Sequence, residues 1–171
     1  MQNHFELFQL PPRFALDASA LDAAYRDVQS RVHPDKFVNA TAAEKRVAMQ
    51  WATRANEAYQ TLKNPQKRAQ YLCELAGVDL QTESNTAMPM AFLMQQMEWR
   101  EELGDARAGK DSDALESLDK QLRNARKEQL TQIEQQLNAA DYAAAAQGVR
   151  ALMFLEKFGE EVRFAFEAIE A

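Results

Sequence analysis

The residues with the most chemical potential stand together: His33, Pro34 and Asp35, in the run RVHPDKF over 31–37. An imidazole moves protons, or donates and accepts hydrogen bonds, near neutral pH. A carboxylate takes charge-assisted hydrogen bonds, best from a guanidinium. A proline fixes φ and offers no N–H. Three readings compete. In an enzyme His33 would be a general base, but a base needs a nucleophile and a group to orient it. Neither is visible nearby, and no catalytic residue is assigned. In a purely structural loop Asp35 caps a helix and His33 faces water. In a docking loop Pro34 sets the exit angle and Asp35 offers its carboxylate to an arginine on a partner. Arg26, Arg31 and Lys36 then supply positive potential for steering.

The neighbouring elements decide how such a loop is held. Asp17 is placed to cap a helix with a stripe of Leu21, Ala24, Val28 and Val32. Pro34 ends that helix, because the residue before a proline is pushed out of the α region. Thr41-Ala-Ala-Glu44 reads as a capping box. It starts a helix with Ala48, Ala52, Ala55, Tyr59 and Leu62 on one face. Two long helices joined by the loop make an antiparallel hairpin. Phe5, Leu7, Phe8 and Leu10 form a short helical opening, and Asn64-Pro65 starts a fourth helix that Gly77 stops.

Composition bounds the rest. The 171 residues hold 5 Gly, 5 Pro and 30 Ala, while Val, Ile and Thr together number 15. Few breakers and few β-branched residues predict an all-α protein. No glycine-rich phosphate loop is present. Cys73 is the lone cysteine beside His4 and His33, so neither a disulfide nor a Cys/His zinc site can be assembled, and no metal or cofactor is expected. No apolar run reaches the roughly 18 residues of a membrane span, and the start shows no targeting pattern. A cytoplasmic protein is expected, with no membrane partner. Residues 1–77 carry net charge +2 and residues 78–171 net −8. The change of sign suggests two modules with different partners. An acidic total argues against a helical nucleic-acid binder, whose affinity rests on clustered Lys and Arg.

The expected domains are 1–76, a linker at 77–87, and a three-helix bundle at 88–171 with helices near 88–104, 112–138 and 141–169. Gly104 and Gly109 are expected to flank the first break, and Asp141 to cap the last helix. The helix at 88–104 has two apolar faces at about 100° per residue. Phe92, Trp99 and Leu103 form one. Met90, Leu93, Met94 and Met97 form the other, edged by Glu98, Glu101 and Asp105. A surface helix needs one apolar stripe. A second, Met-rich and edged by acids, is a candidate binding patch.

YRDVQSRVHPDKF and NEAYQTLKNPQKRAQYL together resemble the J-domain of DnaJ-type co-chaperones, over roughly residues 3–76. AFLMQQMEWREEL at 91–103 and VRALMFLEKF at 149–158 are similar to the C-terminal part of the HscB branch, which acts in iron–sulfur cluster assembly. The resemblance implies a J-domain followed by a three-helix client-binding domain. It implies a co-chaperone with no catalysis of its own. The loop of His33, Pro34 and Asp35, with Arg26, Arg31 and Lys36, would dock on a DnaK-type ATPase, HscA in this branch, and drive it towards hydrolysis. The scaffold protein IscU would sit on Leu93, Met94, Met97, Glu98, Glu101, Asp105 and Phe154; a J-protein with a different client is the alternative. Phe154 lies off its own helix's stripe, so a core role is not required of it. Asp22 and Asp27 thin the basic face of the loop's first helix, which favours a dedicated ATPase over a general one. Nothing in the sequence demands more than a monomer.

Overall fold

The structure, a computed structural model, describes residues 2–80 and 88–170. All regular structure among them is helical, in two compact units, Met1–Leu75 and Ala76–Ala171. Most of the expected linker, 81–87, lies outside the described residues.

The first unit contains α1 (His4–Leu7), α2 (Ala18–Val32), α3 (Ala42–Lys63) and α4 (Pro65–Leu75), with a one-turn 3-10 helix at Pro34–Phe37 that the sequence reading did not anticipate. Local chemistry sets the ends. The Asp17 carboxylate accepts the N–H groups of Ser19 and Ala20 and starts α2. The Thr41 hydroxyl accepts the N–H of Glu44 at 3.1 Å and donates to its carboxylate. Asn64 Oδ1 accepts the N–H of Lys67 at the start of α4. Gly77, at φ 87°, takes the left-handed conformation just beyond α4.

Alanines on α3 let it pack closely. Ala48, Ala55, Ala58 and Leu62 are buried, as are Phe5, Phe8, Leu21, Leu72 and Cys73 elsewhere in the unit. Each large side chain so buried contributes roughly 1.5–3 kcal/mol. Among the described residues of this unit the exception to an apolar interior is Arg68, buried on α4. Its Nε donates to the carbonyl of Phe14 at 2.8 Å, its Nη1 to that of Leu62 at 2.7 Å, and its guanidinium lies over the Phe14 ring.

The second unit contains α5 (Met90–Gly109), α6 (Ser112–Asn138) and α7 (Tyr142–Glu170). Here one expectation is corrected. Helix α5 runs straight through Gly104 and includes Gly109. Leu103 and Ala106, on either side of Gly104, are both buried. Their burial outweighs the roughly 1 kcal/mol that a helical glycine costs. The left-handed terminator is Lys110, at φ 49°, and the N–H of Asp111 returns to the carbonyl of Ala106 at 2.9 Å. Asp111 caps α6, and Asp141 caps α7. One end of the core joins Trp99 and Leu103 of α5 to Leu115, Leu118 and Leu122 of α6 and Leu155, Phe158 and Val162 of α7. The Trp99 indole N–H donates to Gln121 Oε1 at 3.2 Å. Further along, Gly148 brings α7 close to α6: a Cβ there would stand 2.8 Å from Ile133 Cγ1 and from Gln129 Nε2.

Candidate docking loop and client face

The loop between α2 and α3 is built from its proline outwards. Val32 closes α2, and His33 is extended at ψ 138°. Pro34 begins the one-turn helix, and the N–H of Lys36 bonds to the carbonyl of His33 at 2.9 Å. The side-chain cap is His33, whose Nδ1 accepts the N–H of Asp35 at 3.2 Å. That requires a neutral ring with its proton on Nε2. The structural reading of the loop had Asp35 as the cap. The geometry reverses it: imidazole caps, and the Asp35 carboxylate is left 88% exposed. Its nearest partner is His33 Nδ1, 3.5 Å away, an ion pair only when the ring is protonated.

Of the three cations placed beside the loop, Arg31 is engaged with Asp27 at 3.1 Å. Arg26 and Lys36 are exposed, and neither has an ion-pair partner among the described residues. Asp22 is not spent on the surface either. It accepts the Tyr59 hydroxyl at 2.7 Å and ties α2 to α3, while Tyr25 stacks on the Tyr59 ring at 4.1 Å and its hydroxyl bonds to Asn56. The hydrogen bond to that carboxylate pushes the Tyr59 phenol above its ordinary value. So the two acids that seem to thin the basic face are each occupied by a neighbour.

On α5 the two faces separate as the helical angles require. Trp99 and Leu103 are buried, whereas Leu93, Met94 and Met97 are 40%, 56% and 71% exposed. Met90, which the sequence reading set on the stripe but not in the site, is as exposed as Met97. Glu98, Glu101 and Asp105 are exposed beside them. From Met90 to Asp105 the face is about 22 Å long. Two placements differ from expectation. Phe92 is only half-buried. Phe154 is half-buried against the core, edge-on to Phe92 at 5.6 Å, stacked on Phe158 at 5.8 Å and under the Arg100 guanidinium. It therefore takes part in packing. Arg100 also reaches Glu161 of α7, at 3.6 Å.

A helical hairpin with an exposed His-Pro-Asp loop, on a chain that also carries a three-helix unit with an unpartnered apolar face, is the make-up of a J-domain co-chaperone. Residues 3–71 match the DnaJ domain family, and 88–163 match the family described as the HSCB C-terminal oligomerisation domain. The co-chaperone protein HscB homologue of Burkholderia mallei is 55% identical over 168 residues, covering 98% of this chain and 96% of its own. That of Burkholderia cenocepacia is 54% identical over the same length. The fold is also that of HscB from Vibrio cholerae, with TM-score 0.85 and 38% identity over 98% of this chain and 99% of that one. Human HscB shares the fold, with TM-score 0.88 at 24% identity, covering 96% of this chain and 82% of that one. The chain belongs to the HscB family, the J-protein co-chaperones of iron–sulfur cluster assembly. Its partners are by class a DnaK-type chaperone and an iron–sulfur scaffold client. No helix among the described residues is long and apolar enough to cross a membrane.

Proposed function

We propose that this chain carries IscU to an HscA-type ATPase and stimulates that ATPase, with no catalysis of its own. The observation that carries the reading is the state of Asp35. A carboxylate that spares its own helix cap and stands almost wholly in water is free to accept a guanidinium from a partner. Arg26 and Lys36 supply steering towards an acidic surface. His33, Pro34 and Asp35 are the contact; Arg31, held by Asp27, is a reserve that must exchange partners to take part.

The client side rests on α5. Leu93, Met94 and Met97 offer the adaptable apolar centre, and Glu98, Glu101 and Asp105 an acidic rim for basic residues of IscU. Phe154 supports that face from beneath, through Phe92. We take the chain to act as a monomer in the cytoplasm: two copies meeting through this face would bring the same acids together, at a cost in repulsion. Steady-state ATP hydrolysis by HscA, with and without IscU and this chain, tests the reading. Synergistic stimulation is expected. Stimulation that ignores IscU would assign the chain a different client, and sedimentation of the purified chain decides the oligomeric state.

A further inference from the structure

Round α5 from the client face, the second unit holds a cleft of about 530 Å³ that the reading above leaves unused. All three helices of the unit line it, and no ionised side chain does. Amides gather there instead. Gln95 comes from α5, Gln129, Gln132 and Gln136 from α6, and Gln147 from α7. These are five of the eight glutamines in residues 88–171, so the unit's neutral polar groups converge on this one place. The three on α6 stand three and four residues apart and so share one side of the helix. The α7 wall is low. Ala144, Gly148 and Ala151 leave a trough beneath the amides, and a Cβ at Gly148 would stand 2.8 Å from Gln129 Nε2 and 3.4 Å from Gln136 Oε1. That Gln136 oxygen is enclosed and has no hydrogen-bond partner among the described residues. A buried acceptor without a donor is unfavourable. Gln136 as a whole is only half-buried, so its side chain can turn the oxygen out to a donor in the cleft.

We infer that this cleft takes an extended, uncharged segment of the iron–sulfur scaffold client and holds it by its backbone. The inference rests on reading Leu93, Met94 and Met97 as the client face. Chemistry selects the ligand. A glutamine amide both donates and accepts, and so does each peptide group. An extended segment turns its N–H and C=O groups to both edges, about 3.3 Å of chain per residue, and amides on three helices meet them from several sides. A charged segment would find no counter-ion in the cleft, and a wholly apolar ligand would leave the amides unpaired. Position selects the source. On the surface of α5, Ala91 stands about 60° from Met94 and about 40° from Gln95, and it is exposed. The client face therefore runs into the cleft over a single methyl group, and a client seated on the one has chain within reach of the other. The acidic rim of the face selects a basic client, while the cleft adds hold without asking for a particular sequence.

The test uses the full chain and purified IscU, by calorimetric titration and by NMR of the glutamine side-chain amides. The amide signals of Gln129, Gln132 and Gln136 are expected to shift on addition of IscU. Gln132→Ala with Gln136→Met removes two amides and keeps the length of the enclosed side chain. This double variant is expected to weaken IscU binding about tenfold. Its stimulation of HscA in the absence of IscU should stay at the wild-type value, and its thermal melt should show no loss of stability. Overlapping short peptides of the IscU sequence identify the segment. One of them shifts the same amides, keeps doing so after an uncharged substitution and fails after a charged one. Leu93→Ala is the reference and weakens IscU binding by itself. Unmoved amide signals, or full affinity in the double variant beside a weakened Leu93→Ala, overturn the cleft and leave the client face standing. Full affinity in Leu93→Ala overturns the client face, and with it the occupant assigned here. Amide shifts caused by HscA and not by IscU give the cleft to the ATPase and also overturn the inference. If the double variant unfolds, the amide shifts of the wild-type chain decide alone.

Discussion

His33 Nδ1 accepts the backbone N–H of Asp35, two residues on, at 3.2 Å. The bond divides the labour within the tripeptide: His33 holds the turn, and Asp35 stays available. His33→Gln should therefore lose a cap, costing about 0.5–1 kcal/mol of stability, and also lose ATPase stimulation. Asp35→Asn should lose stimulation at a stability cost under about 0.5 kcal/mol, as exposed substitutions do. Urea denaturation beside steady-state ATP hydrolysis checks both. A large loss of helicity in Asp35→Asn would return the loop to a structural role.

The client face should respond by position on α5. Leu93→Ala with Met97→Ala should weaken IscU binding strongly, each anchor costing up to about 2 kcal/mol, with little change in melting temperature. Glu101→Ala should act mildly and mainly at low salt. Trp99→Ala, at a buried site, should cost about 3–5 kcal/mol of stability. Phe154→Ala is a mixed variant, because it also strips packing from Phe92 and Phe158. Calorimetric titration with parallel melts separates these. Unfolding by Leu93→Ala as severe as by Trp99→Ala would make the second face core.

A fragment spanning 88–171 should fold as helix, bind IscU and fail to stimulate the ATPase. Its core residues, from Trp99 to Ala165, come from α5, α6 and α7 alone. Circular dichroism and pull-down check this; an unfolded fragment would mean that the second unit needs the first.

His4 makes the first unit sensitive to acid. Its ring stacks on Tyr71 at 4.3 Å, and burial lowers its pKa below 6.5, with Glu57 opposing and Arg54 assisting. The folded state thus binds this proton less readily than the unfolded chain. The stability contributed by the neutral ring is complete above pH 6.5 and falls as pH drops through the lowered folded value. Urea midpoints at pH 7.5 and 5 should diverge for the wild type and converge for His4→Phe. Equal dependence in both would remove His4 as the cause.

Gly148→Ala should destabilise by about 1–2 kcal/mol. The new methyl meets Ile133 Cγ1, whose buried position on α6 cannot yield freely, and this exceeds the helical gain of alanine over glycine. Chemical denaturation measures it; a stabilised variant would show that α6 shifts at little cost.

What the sequence disclosed follows the range of the forces involved. Caps and stops act within four residues, so Asp17, Thr41, Asn64 and Pro34 announced their helices. The two-faced character of α5 is a matter of angle and was equally legible. Gly104 misled because a local breaker was outweighed by burial of its neighbours, which only the folded bundle reveals. The packing of Phe154 was hidden for the same reason: its contacts with Phe92 and Phe158 depend on where α5 lies against α7. The roles of His33 and Asp35 as cap and free acid turned on a 3-10 turn that no periodicity signals.

Arg68 belongs to the basic run that helps mark the J-domain in sequence, yet its charge is turned inwards, onto two carbonyls and the Phe14 ring. Ions in solution screen exposed charges within about a Debye length but scarcely reach a sheltered one. Rising ionic strength should therefore slow the approach of the loop, through Arg26 and Lys36, without loosening the clasp at Arg68. How fast this co-chaperone meets its ATPase and how firmly its own first unit holds together are set by cations that answer to salt independently.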